Sequence, residues 1–196
     1  KMDGQTERPK EYVCRKYCGS RDLLEDDVES ASGGWAHAPW TDLFVDIRGS
    51  GEPKPRFDTR MKMLWNDSGL FVAAKMKDPE LYATQTEKNS FVWQHDNDFE
   101  FFIKPDRSKS NYYEFEVNAL NTVFELTLDK PYQEGGHARH GTNLKGLRSS
   151  VRVDGELGKR PSAWTVAIFF PFADLYQLLG CNFDEIPPAS STEWLP

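Results

Sequence analysis

The chain has 196 residues, enough for one domain with a sizeable core. Its 24 Lys and Arg against 31 Asp and Glu leave a formal charge of −7. That charge repels phosphate backbones and the basic residues are scattered, so neither nucleic acid nor an anionic membrane is the expected partner. No apolar run approaches the roughly 20 residues that span a bilayer.

Residues 1–30 are polar and acidic, with Leu23-Leu24 ahead of Glu25-Asp26-Asp27, and read as an irregular arm before a domain over 31–196. Ser32-Gly33-Gly34 leads into Trp35 and Trp40, and 49–55 is a Gly- and Pro-rich loop. From Thr59 to Trp65 the two-residue period puts Met61, Met63 and Trp65 on one face. Asn66-Asp67-Ser68-Gly69 is a turn, and Leu70 to Met76 returns as the second arm of a hairpin. Further strands are predicted over 98–104, 112–120 and 123–128, the last two joined tightly through Asn121-Thr122. The run KPYQEGGHARHGTN (130–143) reads as a loop, with His137 and His140 as loop residues. Strands at 147–153 and 164–170 follow, then one short helix from Pro171 to Leu179, with Pro suited to its start and Gly180 to its stop. Many short strands, turn residues between them and a single helix near the C-terminus define an all-β antiparallel β-sandwich, immunoglobulin-like or jelly-roll-like.

Three cysteines, Cys14, Cys18 and Cys181, form no CxxC pair and no His stands at zinc spacing. One disulfide with a free thiol and three thiols are both open. The beginning at KMDGQTERPK, with no Met start or signal peptide, reads as a mature or trimmed fragment.

The stretch FVWQHDNDFEFFI (91–103) concentrates the candidate chemistry. Strand periodicity puts Phe99, Phe101 and Ile103 on one face and Asp98, Glu100 and Phe102 on the other. On the next strand Tyr113, Phe115, Val117 and Ala119 oppose Tyr112, Glu114, Glu116 and Asn118. Pairing the two strands predicts an open, acidic, tyrosine-edged face beside Trp93. Such a face suits sugar hydroxyls, with the indole covering the apolar C–H side of a ring. A catalytic acid needs burial to raise its pKa, which an open face does not supply. Asp96 and Asp98, at the strand mouth, are hard oxygen ligands of the kind calcium takes.

The blocks TRMKMLWNDSGLFVAAKMKDP, FVWQHDNDFEFFIKPD, NYYEFEVNALNT and WTVAIFFPFADL, in that order and spacing over about residues 35–180, resemble the family 9 carbohydrate-binding modules. The resemblance implies a β-sandwich that binds an oligo- or polysaccharide without cleaving it. It implies a secreted, periplasmic or extracellular module attached to or working beside a glycoside hydrolase in polysaccharide degradation, with structural calcium. Trp93 matches the family's sugar-stacking wall and Glu100 its sugar-bonding glutamate. Asn118 is carried over, while Glu116 stands where the family has an arginine, and Tyr112 edges the same face. The family's second aromatic wall would begin after about residue 190, so the sandwich is expected to be truncated at its C-terminal strands. Two alternatives carry over to the same fold. One is a haem-binding relative with axial ligands from Met61, Met63 or Met76 and His95; the other is a domain with hydrolase activity of its own.

Overall fold

The structure is a computed structural model that describes residues 11–49, 51–182 and 187–188. Its strands are β1 (Arg15–Lys16), β2 (Thr59–Asn66), β3 (Gly69–Lys77), β4 (Asp98–Ile103), β5 (Tyr112–Asn118), β6 (Val123–Leu128), β7 (Ala138–His140), β8 (Arg148–Asp154) and β9 (Ala163–Pro171). Two helices, α1 (Val92–His95) and α2 (Phe172–Leu179), accompany them. A five-stranded sheet in the order β1-β2-β3-β9-β8 packs on a four-stranded sheet in the order β4-β5-β6-β7, the β-sandwich that the period-two pattern predicts.

The core lies between the sheets. Leu70, Val72, Ala74 and Met76 of β3, with Trp164, Val166, Ile168 and Phe170 of β9, face Phe99, Phe101 and Ile103 of β4 and Tyr113, Phe115 and Val117 of β5. Phe170 is its hub, with ring centroids of Phe101, Tyr113 and Phe115 at 5.8, 6.1 and 5.4 Å. α2 starts one residue later than the sequence suggests, because Pro171 completes β9 and serves as the cap residue. It stops at Gly180, whose φ of 64° lets the Cys181 amide return to the Tyr176 carbonyl at 2.8 Å.

β3 is buried on both faces because residues 11–38 cover the outer side of its sheet. Tyr17, Leu23, Leu24, Val28 and Trp35 pack on Leu64, Phe71, Ala73, Ala167 and Phe169. The segment expected as an arm is irregular over most of this length, yet it forms a second apolar layer. Trp35 Nε1 donates to the Leu23 carbonyl at 2.7 Å, and Arg148 of β8 holds Asp22 at 2.6 Å. Among the described residues Cys14 and Cys18 form no disulfide, and burial pushes the Cys14 thiol up to about 12. The C-terminal truncation expected after about residue 190 lies outside the described residues.

The β5–β6 connection departs from expectation. Strand β5 ends at Asn118, not Leu120, and Val117 pairs with Val123, leaving a four-residue turn with Asn121 at φ 62°. A two-residue turn at Asn121-Thr122 would have set Leu120 opposite Val123 and turned Phe124, Leu126 and Leu128 into the core. The Val117–Val123 pair encloses five residues, an odd number in place of two, and this reverses the parity. Phe124 lies opposite Glu116 and Leu126 opposite Glu114 on the outer face, while Glu125 points inward. Buried there, Glu125 accepts from Tyr113 Oη at 2.7 Å and the Leu144 amide at 2.9 Å, and pairs with Lys88 at 2.7 Å. The 130–143 stretch is also less irregular than its composition suggests. It contains a 3-10 turn at Tyr132–Glu134 and strand β7, which closes the four-stranded sheet.

Candidate functional site on the four-stranded sheet

The outer face of this sheet brings together Asp98, Glu100 and Phe102 of β4, Tyr112, Glu114, Glu116 and Asn118 of β5, and Phe124, Leu126 and Leu128 of β6. Its open, solvated character is corrected by the structure. Val92 of α1 joins Phe124, Leu126 and Leu128 in a small apolar cluster, with Tyr112 and Ala138 against it. Beside this cluster Glu114 and Glu116 are buried, Glu116 to 2% exposure, and Asn118 is fully buried. Glu100 is exposed, and Phe102 and Tyr112 are half-buried with ring centroids 6.0 Å apart.

Glu100 lies directly opposite Glu116 in the strand register, and one carboxylate oxygen from each of Glu100, Glu114 and Glu116 falls within 4.8 Å of the others. Burial, then the charge of Glu114, pushes the Glu100 carboxyl up to about 7. Burial also raises Glu114 and Glu116, and Glu116 is raised further by Asp98, by Glu100 and by its bond to Glu114. Asp98 rises to about 6 through burial and then the charge of Glu100. The premise that these acids keep ordinary pKa values is therefore overturned. Even so, a retaining glycosidase needs two carboxyl groups that both reach the scissile bond. Within the trio, Glu114 and Glu116 are enclosed and Glu100 faces solvent.

Asn118 and Asp96 form a structural node. Asn118 Nδ2 donates to the Gln85 carbonyl at 2.8 Å and to Asp96 Oδ2 at 2.6 Å, and its Oδ1 accepts from the Leu120 and Thr122 amides at 3.0 and 2.9 Å. With every hydrogen-bonding site used and no exposure, Asn118 has none left for a sugar, which corrects its expected role. Asp96 Oδ1 accepts from the Thr84 amide at 2.7 Å and its hydroxyl at 3.0 Å, and Oδ2 accepts from the Gln85 amide at 3.0 Å as well as from Asn118. Burial alone would raise this carboxyl, but the bonds from Asn118, Gln85 and Thr84 outweigh it and hold it low. Four donors on two oxygens leave no lone pair for an ion, so the pair Asp96 and Asp98 does not fit calcium. Asp98 instead sits half-buried beside a cleft of about 270 Å³ lined by Phe57, Asp78 and Trp164.

The Asp96 amide, bonded to the Val92 carbonyl at 2.8 Å, closes the single turn of α1. That turn points Val92 inward and leaves Trp93 51% exposed. Phe91 supports it, with centroids at 6.3 Å from Trp93, 5.6 Å from Phe124 and 6.1 Å from His140. Tyr132, 55% exposed on its 3-10 turn, has its hydroxyl pKa raised by burial and then by the charges of Glu114, Glu116 and Glu100. Sequence reasoning missed Phe91 and Tyr132, and it read His140, which stands on β7, as a loop residue. The Phe124-x-Leu126-x-Leu128 alternation was the available clue that apolar groups occupy this face. Of the residues weighed as haem ligands, Met76 is buried in the main core and Met61 and Met63 pack against it.

A family model for the carbohydrate family 9 binding domain-like group matches residues 28–151. Comparison with curated proteins finds no match. Among solved structures, a Bacteroides uniformis protein described as a candidate carbohydrate-binding protein superposes with a TM-score of 0.62 at 16% identity, covering 85% of this chain and 74% of that one. A family 9 carbohydrate-binding module from Caldicellulosiruptor kristjanssonii in complex with glucose superposes at 0.52 and 12% identity, covering 83% and 70% of the two chains. A module of that family from the same organism, in complex with cellotriose, gives 0.50 at 14% identity, covering 82% and 68%. At these identities the structural likeness speaks for the fold alone. The match of the family model over most of the sandwich, in a fold shared with those modules, carries the assignment: the chain belongs to the carbohydrate family 9 binding domain-like family.

Proposed function

We propose that this chain is a non-catalytic carbohydrate-binding module that stacks a sugar ring on Trp93 and bonds its hydroxyls through Glu100. The observation that carries the reading is Trp93, half exposed on a one-turn helix beside the four-stranded sheet. Its support runs through Phe91 to Phe124, the strand neighbour of Glu116, which in turn faces Glu100. Tyr132 and Tyr112 edge the same surface, and they are the next groups a glycan would meet. An indole face matched to C–H groups, with a carboxylate in reach of hydroxyls, is the chemistry of saccharide recognition. Glucose and cellotriose occupy the related modules from Caldicellulosiruptor kristjanssonii, which makes glucan fragments the first ligands to try. The proposed setting is outside the cytoplasm, attached to or beside a glycoside hydrolase that degrades the bound polymer.

One stacking ring and one open carboxylate predict dissociation constants of about 10⁻⁵ to 10⁻³ M. The test is a glycan array followed by titration calorimetry with the best oligosaccharide, on the wild type and on Trp93→Ala. Binding that falls at least tenfold in the variant, with an unchanged melting curve, supports the reading. A blank array, or full affinity retained without the indole, overturns it.

A further inference from the structure

We propose that Glu100, Glu114 and Glu116 form a binding site for one hard divalent cation of the size of calcium. The ligand oxygens fit such an ion. Ca–O distances of about 2.3–2.6 Å allow two ligands of one ion to lie up to about 5 Å apart. The three carboxylates offer oxygens within 4.8 Å of one another. A magnesium ion, at about 2.1 Å per ligand, would draw them closer together than they stand.

A second observation is independent of this spacing. Glu116 Oε2 is buried without any hydrogen-bond partner, on a side chain whose carboxylate faces the other two. An unpartnered buried carboxylate oxygen is costly, and like charges directly opposite on paired strands add to the cost. The same fold shows how it treats a buried acid that has partners. Glu125, one strand away, receives Tyr113, the Leu144 amide and Lys88. Among the described residues no Lys, Arg or His pairs with Glu100, Glu114 or Glu116. A divalent cation supplies the missing positive charge and the missing partner together. Exposed Glu100 provides the entry path and leaves the remaining coordination positions to water.

The test uses the full chain after chelator treatment, with no sugar present, so its result stands apart from glycan binding. CaCl₂ is titrated by calorimetry, and TbCl₃ by luminescence sensitised through Tyr112 and Tyr132. The expected result is one site, a calcium-dependent rise in melting temperature, terbium emission quenched by added calcium, and at least tenfold weaker binding in Glu116→Gln. Should Glu116→Gln fail to fold, exposed Glu100→Gln decides, with the same loss expected. Absence of 1:1 binding at 5 mM calcium overturns the proposal, leaving a shared proton to neutralise the trio. Affinity within threefold of wild type in the folded variants also overturns it, by placing the ion elsewhere.

Discussion

Asn118 Nδ2 and Asp96 Oδ2 are joined across 2.6 Å, and through this bond the end of β5 holds the turn that presents Trp93. Removing the amide leaves the Leu120 and Thr122 amides without their acceptor and takes one donor each from Asp96 Oδ2 and the Gln85 carbonyl, which keep the Gln85 amide and the Thr122 hydroxyl. Asn118→Ala is expected to cost about 3 kcal/mol, at about 1–3 kcal/mol per buried group left unsatisfied. For a chain of this size that lowers Tm by about 6–12 °C, checked by differential scanning calorimetry. A Tm within 2 °C of wild type would show the node to be dispensable.

Phe91 touches Trp93, Phe124 and His140 and so acts as a positioning residue for the indole. Phe91→Ala is expected to weaken glycan binding about tenfold and to destabilise the chain by about 1–3 kcal/mol, since a half-exposed ring loses less than a fully buried one. Trp93→Ala is expected to weaken binding at least as much while shifting stability by less than about 1 kcal/mol. Calorimetric titration paired with urea unfolding separates the two. Equal stability losses in both variants would count against the division of roles.

How much of this was legible in the sequence depends on the face of each strand. The core residues of β4 and β5 follow from alternation alone, because both strands bury one face in the sandwich. The burial of Glu114 and Glu116 was not legible, since an enclosed acidic face and a solvated one share the same alternation. The β6 orientation turned on an odd number of residues between Val117 and Val123, where the Asn121-Thr122 pair suggests an even one. Trp93 and Glu100 stand out in the sequence as an aromatic and an acid at a strand mouth, and both are exposed. Asn118 shows in sequence as one more polar group, and its four hydrogen bonds arise from contacts up to 33 residues away.

Trp35 is fully buried where the covering segment meets the five-stranded sheet, and its carbonyl accepts from Lys62 at 3.1 Å. Trp35→Ala is expected to cost about 3–5 kcal/mol through the cavity it opens. Urea unfolding followed by circular dichroism should show the midpoint falling. An unchanged midpoint would mean that the segment does not stabilise the sheet.

Lys62 is 3% exposed, with its ammonium 4.4 Å from the Trp40 ring centroid. Burial, then the charge of Arg60, lowers its pKa from 10.5 to about 8, against a smaller opposing pull from Glu29 and Asp27. Between about pH 8 and 10.5 the folded chain therefore holds fewer protons on this amine than the unfolded chain does. The contribution of Lys62 to stability rises with pH across that window. Unfolding free energies of wild type minus Lys62→Met, measured from pH 7 to 10, are expected to increase steadily. A flat or falling difference would contradict the assignment.

β9 lies between β3 and β8 in the five-stranded sheet, yet the stretch that matches the family model ends at Val151 and begins at Val28. A piece cut to those limits would lose an inner strand of one sheet, β9, together with Tyr17, Leu23 and Leu24 from the layer above it. The hydrogen-bonding edge of β3 would then stand bare and apolar, a template for pairing with another copy. Recognisable similarity and cooperative folding thus have different borders in this chain. Expression of residues 28–151 alone should yield aggregates, whereas a boundary placed ahead of Glu11 and beyond Cys181 keeps both apolar layers whole.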